Sequence, residues 1–536
     1  MTATPTVLVG WDGATFSVLD PLMENGTMPF LAQFASKGVR GVLRSTVHPL
    51  TPCAWTSLMT GVNPGDHGVF DFVKVMRRSD RYTYVLGTSS DMCSETMWSI
   101  AGRNGCRVIS LNYPSMFPVK DFPGFAIPGM VHPQYLSRAV HPSSLYSRIR
   151  AIPGFEGRQL ALDWALERKA LQGLPEEEYE DWITFHTHRE ARWFEILSML
   201  MREERCELSA VLFDGVDKLQ HLCYHLLDPA LTDTYSSTWA KHMRELCYRY
   251  FRQLDQYLEQ IVSQAGNDAR VFICSDHGFK LAGSHIFYVN VWLEQHGYLR
   301  WADGVQLDGN RHLTLESHAG TDTLFDWNAT NAFALTASSN AIHIFRRDND
   351  GNGPGVPEHQ YESFRNHLIR SLLEFTDPSG KPVVAAVLPR EQAFPGERMA
   401  IAPDLTLVLG DHSFISVLRA DEALKPRLRP YGTHEPRGIF LGSGPGIREA
   451  CHIESHPIIG VAPTVLYSLG LPVPQSMEGQ VIEEAFQPSF LKRNPIRKER
   501  VRRQRKAKTR QEALPVREKN EEQFLMEQLK ALGYLE

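Results

Sequence analysis

The sequence has 536 residues, with 62 acidic against 56 basic side chains and a formal net charge of −6. That mild negative balance points away from nucleic acid and anionic membranes as partners. With 43% hydrophobic and 22% charged residues, the chain is globular and long enough for a large core, in one big domain with insertions or in several. Its eight cysteines are scattered and form no C-x-x-C pair, which argues against a thiolate zinc site and a disulfide framework and for a reduced setting. The N-terminal segment lacks a basic region followed by a long apolar one, and no apolar run approaches about 18 residues, so neither a signal peptide nor a membrane span is expected. A soluble cytoplasmic protein is the expectation.

In chain order, Val7–Gly10 reads as a short buried strand, and Asp12-Gly13 follows at its carboxyl end. Asp-Gly is ordinary turn chemistry, but a carboxylate there is also well placed for a cation. Thr51-Pro52 reads as an N-cap with proline at the first helical position, opening a helix through Ala54–Met59. A helix start presents N–H groups and a positive dipole end, which suits a phosphate. Cys53 and Ser57 compete with Thr51 as nucleophiles, but lie further inside the helix. Arg107–Leu111 is a second strand. Residues 133–205 are polar, aromatic and rich in helix formers, including Glu176–Asp181 and Trp193–Met201, and read as a helical cap.

Leu208–Phe213 is a third strand, followed by Asp214, Asp217 and His221. The spacing of Asp217 and His221 puts both on one helical face, able to share an ion, with His225 as a decoy one turn on. Asp214 is either a ligand or a supporting group. After the helix Trp239–Ala265, the strand Arg270–Cys274 ends in Asp276-His277-Gly278. Residues 280–400 read as a long insertion with its own small sheet, including Ala341–Phe345, a Gly-rich loop from Asp348, and the helix Glu358–Phe375. Leu405–Leu409 and Gly438–Leu441 read as further strands of the parallel sheet, with His434 in a Gly-containing loop between them. From about 491 the composition turns basic, a solvated extension (491–536) ending in an amphipathic helix over Glu521–Leu535. Strands alternating with helices predict an α/β, doubly wound, mostly parallel sheet, whose ligands gather at the carboxyl ends of the strands.

Taken together, Asp12, Thr51, Asp217, His221, Asp276, His277 and His434 are the residue types that bind a pair of divalent cations beside a nucleophile. As an ordered set, the D-G, T-P…T-G-x-x-P-x-x-H-G, D-x-x-x-H, S-D-H-G and G-T-H blocks resemble the alkaline phosphatase superfamily, and within it the type I phosphodiesterase/nucleotide pyrophosphatase branch and related phosphohydrolases. The resemblance runs in scattered blocks over most of residues 5–490, which makes 1–490 the expected catalytic domain. It implies one metal held by Asp12, Thr51, Asp276 and His277, a second held by Asp217, His221 and His434, and Thr51 as a nucleophile that becomes phosphorylated. Asp and His donors without thiolate fit zinc, with manganese as the alternative.

Twelve residues after Thr60, the nucleotide-cleaving branch has an Asn that hydrogen-bonds the phosphate; here Phe72 stands at that position. The donor then has to come from a backbone N–H at the Thr51 helix or from Asn112. Thr51-Pro-Cys53 also lacks the Arg of the sulfatase motif. The expected function is metal-dependent hydrolysis of a phosphomonoester or phosphodiester on a small phosphorylated substrate. The alternatives are a phosphomutase on the same core and a binding protein that keeps the fold.

Overall fold

The computed structural model describes residues 4–78, 80–131, 133–163, 166–167, 169–170, 174–303, 324–347 and 354–499. The expected helix over Glu521–Leu535, most of the basic extension and much of the Gly-rich loop from Asp348 lie outside the described residues.

A nine-stranded sheet organises the chain. Its order from one edge is Cys451–His452, Val39–Arg44, Arg437–Ser443, Arg270–Cys274, Thr6–Trp11, Leu208–Phe213, Val108–Leu111 and Gly124–Ile127, with His456–Pro457 also on Val39–Arg44. Thr6–Trp11 is parallel to both its neighbours, and Val108–Leu111 likewise. Arg437–Ser443 runs antiparallel to its neighbours, so the last strand of the parallel set expected from sequence enters reversed. The central strands are buried on both faces, which is why they read as continuous apolar runs. Alternate residues feed two cores. Val7, Val9, Trp11, Val211, Phe213, Val271 and Ile273 pack under the long helices Tyr179–Glu203 and Thr238–Ala265. Leu8, Leu208, Ala210, Leu212, Phe272 and Cys274 pack under Thr51–Thr60, Met97–Arg103 and Val461–Ser468. The chain is thus α/β, with a mostly parallel sheet covered by helices on both sides.

Leu405–Leu409 is a strand, but it is not in this sheet. It sits in a separate four-stranded antiparallel sheet with Ala332–Phe333, Ala341–Ile344 and Val384–Pro389, over a third core. A short apolar run reports burial, not which sheet buries it. The chain leaves the main sheet for the second through Gly278–Leu281 and returns through Gly432–Glu435, and these two segments pair antiparallel. Within residues 133–205, the helix Tyr179–Glu203 lies against a face of the main sheet and reaches the strand ends with Arg189 and Glu190. Among the described residues no helix is long and apolar enough to cross a membrane.

Candidate active site

Three parallel strands of the main sheet release their chains at one edge, and each delivers an acidic group. Asp12 follows Thr6–Trp11 across a tight turn in which Gly13 has φ +66°. A side chain there would also strike the Phe279 ring at 2.6 Å, so only glycine fits. The Gly13 N–H donates to Asp276 Oδ1 at 3.1 Å, tying the first strand end to the end of Arg270–Cys274. Asp217 lies in the first turn of the helix Gly215–Leu227 that follows Leu208–Phe213, with His221 one turn on. His434 comes from the returning strand Gly432–Glu435.

These six side chains meet. His277 Nε2 lies 3.5 Å from Asp12 Oδ1 and 3.3 Å from Asp276 Oδ2. His434 Nε2 lies 3.1 Å from Asp217 Oδ1 and 3.2 Å from His221 Nε2, and His221 Nε2 is 3.4 Å from the same carboxylate oxygen. The His277 and His434 rings stack with centroids 3.6 Å apart, so the two halves adjoin. Asp12, Asp276 and His277 form one group with ligand atoms within 4.8 Å of one another; Asp217, His277 and His434 form another, with His277 between them.

The three histidines share one orientation. Each donates its Nδ1–H to a backbone carbonyl: His221 to Gly432 at 3.0 Å, His277 to Gly278 at 3.1 Å and His434 to Pro49 at 2.7 Å. The acceptors fix the tautomer and leave every Nε2 lone pair facing the cluster, as metal-ligating imidazoles require. Burial, with the neighbouring His434, holds His277 well below the usual histidine range, and burial also lowers His434, so both favour the neutral form.

The carboxylates report a shortage of positive charge. Burial pushes Asp276 up to about 8, and burial with the Asp276 and Asp217 charges raises Asp12 as well. Asp217 goes the other way: burial opposes, but Lys218 Nζ at 3.1 Å and His221 hold it well below the carboxylate range. Asp12 Oδ1, Asp276 Oδ2 and His277 Nε2 are buried and have no hydrogen-bond partner. Unpartnered acceptors converging in a buried pocket are unfavourable as they stand and fit divalent cations.

Thr51 opens the helix Thr51–Thr60, but not as its cap: Leu50 is the cap residue and Thr51 is the first helical position, half-buried. Two contacts bring it to the cluster. Two residues before it, the Pro49 carbonyl holds His434; four residues after it, on the same helical face, Trp55 Nε1 donates to Asp12 Oδ2 at 3.1 Å. The competing nucleophiles are enclosed. Cys53 is buried and its thiol is pushed up by burial and Asp71, while Ser57 is fully buried against His67 Nε2 at 3.0 Å.

Asn112 is not a free phosphate donor. Its amide N–H groups are given to Leu212 O at 2.9 Å and Asp214 Oδ1 at 3.2 Å. Asp214 supports the site from behind, gripped by Arg189. His225 points away, its ring against Tyr235. Trp55, Lys218, Arg189 and the Pro49 carbonyl were not legible as site groups. Only Trp55 carried a usable signal, its four-residue spacing from Thr51.

The sequence profile of the type I phosphodiesterase/nucleotide pyrophosphatase family matches residues 6–437, a span that contains all seven candidate residues. The chain belongs to that family. It is accordingly a phosphoric-ester hydrolase by class, within the alkaline phosphatase superfamily. No curated protein matches the sequence significantly. Among solved structures, phosphonoacetate hydrolase from Sinorhizobium meliloti 1021 with phosphonoformate is similar at 14% identity and TM-score 0.54, over 87% of this chain and 95% of that one. The inactive murine ectonucleotide pyrophosphatase/phosphodiesterase 5 in complex with AMP is similar at 12% identity and TM-score 0.51, also over 87% and 95%. At these identities the likeness is one of fold, and it agrees with the layered sheet described above.

Proposed function

We propose that this family member hydrolyses a small phosphoric monoester or diester through a phosphothreonine at Thr51, in a two-metal site. The observation that carries the reading is the orientation of the cluster: three Nε2 lone pairs and unpartnered carboxylate oxygens converge beside the helix start that bears Thr51. Asp12, Asp276, His277 and Thr51 would hold one divalent cation and Asp217, His221 and His434 the other, zinc or, for the same donors, manganese. Bound there, the pair would acidify the threonine hydroxyl and offset charge on the phosphoryl oxygens.

The chain's own part is positioning. The Pro49 carbonyl and the Trp55 indole clamp the two sides of the helix start against His434 and Asp12, which aims the Thr51 hydroxyl at one place. Thr51 Oγ1 forms a bond to phosphorus, the ester P–O bond breaks, and the departing alcohol takes up a proton. Water then cleaves the phosphothreonine and restores the hydroxyl. Helix N–H groups near Thr51 face the phosphoryl oxygens in place of the side-chain amide that Phe72 does not supply.

Thr51→Ala tests the reading. Turnover of aryl phosphate esters with zinc, manganese or magnesium is expected to vanish while metal binding and fold persist. Oxygen-labelled water is expected to label the released phosphoryl product; unlabelled transfer to a second alcohol would make the enzyme a mutase. Full activity in Thr51→Ala, with loss in Cys53→Ala, would place the nucleophile elsewhere.

A further inference from the structure

A cavity of about 370 Å³ is lined in part by residues past the carboxyl ends of the sheet strands, and none of the Asp and His residues of the cluster lines it. One wall is built by residues just past the carboxyl ends of Val108–Leu111 and Gly124–Ile127, including Phe117, Met130 and Val131. The facing wall is Phe72 and the strand Val73–Arg77, with Val75 and Met76. Ser339, His343 and Ile401, from the region of the second sheet, close it.

Two chains of hydrogen bonds connect the cavity walls to the reacting end of the site. Asp71, beside Phe72, accepts from Ser338 Oγ at 2.9 Å, and the Ser338 carbonyl is bonded by His48, three residues before Thr51. On the other wall, the Gly129 N–H donates to Tyr113 O at 2.9 Å, and the adjoining Asn112 holds Asp214 at 3.2 Å, at the head of the helix that carries Asp217. Phe72 also shares a core with Leu50 and Cys53, the residues on either side of Thr51-Pro52.

Several polar groups in the cavity walls already have partners. Asp71 takes hydrogen bonds from Thr336, Ser338 and the Phe72 N–H. Lys74 pairs with Asp91 at 2.9 Å at the rim, and Arg77 donates to the Arg346 carbonyl at 2.8 Å. His343 stacks on Phe333, and burial lowers it to about 3, so it is neutral. What faces the space is hydrocarbon and aromatic surface, in a volume typical of small-molecule sites. Away from the rim, where Lys74 and Arg77 stand, a ribose or a second phosphate would lose its water with little hydrogen bonding in exchange.

We propose that this cavity receives the apolar ester group of the substrate, so that the preferred substrates are phosphoric esters of an alkyl or aryl alcohol and not nucleotides. The inference rests on the reading of Thr51 as the phosphoryl acceptor. An apolar group seated against Phe72 draws its binding energy from burial, at a few-fold in affinity for each added methylene. Phe72 therefore acts as a specificity residue: the position that resembles a phosphate donor in the nucleotide-cleaving branch here turns its ring to the other half of the ester.

Binding and turnover give separate readouts. Full-length Thr51→Ala protein loaded with zinc is titrated calorimetrically with methyl, octyl and naphthyl phosphate. Octyl or naphthyl phosphate is expected to bind at least about a hundredfold more tightly than methyl phosphate, the stronger of the two assigning chain or ring. Val75→Trp and Val131→Trp, which fill the cavity from opposite walls, are each expected to cut that preference at least tenfold. Equal affinity for all three ligands overturns the proposal, as does a preference that both variants leave intact. Wild-type enzyme is assayed in parallel on methyl, butyl and octyl nitrophenyl phosphate. Nitrophenol release that ignores chain length sinks the cavity assignment while sustaining the hydrolase reading; no release from any ester, with tight octyl phosphate binding, sustains the cavity and sinks the phosphothreonine reading.

Discussion

Arg189 grips both carboxylate oxygens of Asp214, and the next residue, Glu190, accepts the N–H of Gly215. Two neighbours on the helix Tyr179–Glu203 thereby set the start of the helix that carries Asp217 and His221. Arg189 is 2% exposed and the Asp214 side chain 13%, so neither end of the pair has water to fall back on. Arg189→Met is expected to cost about 3–5 kcal/mol in denaturant unfolding, because it strands a buried carboxylate. Arg189→Met combined with Asp214→Asn should recover a good part of that loss. Equal stability of Arg189→Met and wild type would show that Asp214 is supported by something else.

Trp55 is the second positioning group. Its indole N–H on Asp12 Oδ2 leaves Oδ1 as the oxygen of that carboxylate without a hydrogen bond, the one the proposed cation would take. Trp55→Phe keeps most of the packing and removes only the donor. A drop of roughly 10- to 100-fold in metal affinity is anticipated, the usual size of such second contacts, with little change in melting temperature. Competition with a zinc-binding dye measures the first quantity and calorimetry the second.

Gly432 is where the returning strand crosses the ligand helix. A methyl group added there would stand 2.2 Å from the Gln220 carbonyl, while the Gly432 carbonyl itself accepts from His221. Gly432→Ala must push strand and helix apart, lifting His434 away from Asp217. Roughly 1–3 kcal/mol of stability should go, and bound metal should fall from two ions per chain toward one. Retention of both ions, counted by emission spectroscopy, would contradict the role given to this crossing.

The acidic cluster also predicts how stability depends on pH in chelated protein. Asp276 is raised by burial to about 8, against an unfolded value of about 4. Between those values the folded chain keeps a proton that the unfolded chain has released, so stability falls as pH rises and levels off above about 8. Glu190, pushed up to about 8 by burial and Asp214, adds in the same direction. The neutral, down-shifted His277 works the opposite way, but only below about 6.5, so the fall is cleanest from about pH 7 to 8. Zinc should remove the Asp276 share of it, since the cation replaces that proton, and leave the Glu190 share. A melting temperature that climbs over this range with chelator present would refute the charge assignment.

Sequence made the ligands legible because strand ends are legible: Asp12, Asp217 and Asp276 each follow an apolar run, and an α/β sheet collects such positions on one edge. It did not reveal their supports. Arg189 meets Asp214, and Pro49 meets His434, across separations that no local pattern encodes. Leu405–Leu409 was visible as a strand and not as part of the second sheet, since its partners Ala341–Ile344 and Val384–Pro389 lie upstream across loops and a helix. Asn112 looked available because an amide in a loop shows no sign of being spent, and here both its N–H groups are.

The two paired strands that carry the chain out and back bear on how the candidate site is assembled. The chain leaves through Gly278–Leu281, builds the entire second sheet, and returns through Gly432–Glu435. His434 therefore reaches its companions only after the longest detour in the molecule has closed, and such contacts form late in folding. Yet the entropy of closing a loop grows only slowly with its length. The intervening segment can therefore lengthen or shrink at little entropic cost while the same two strands keep delivering His434.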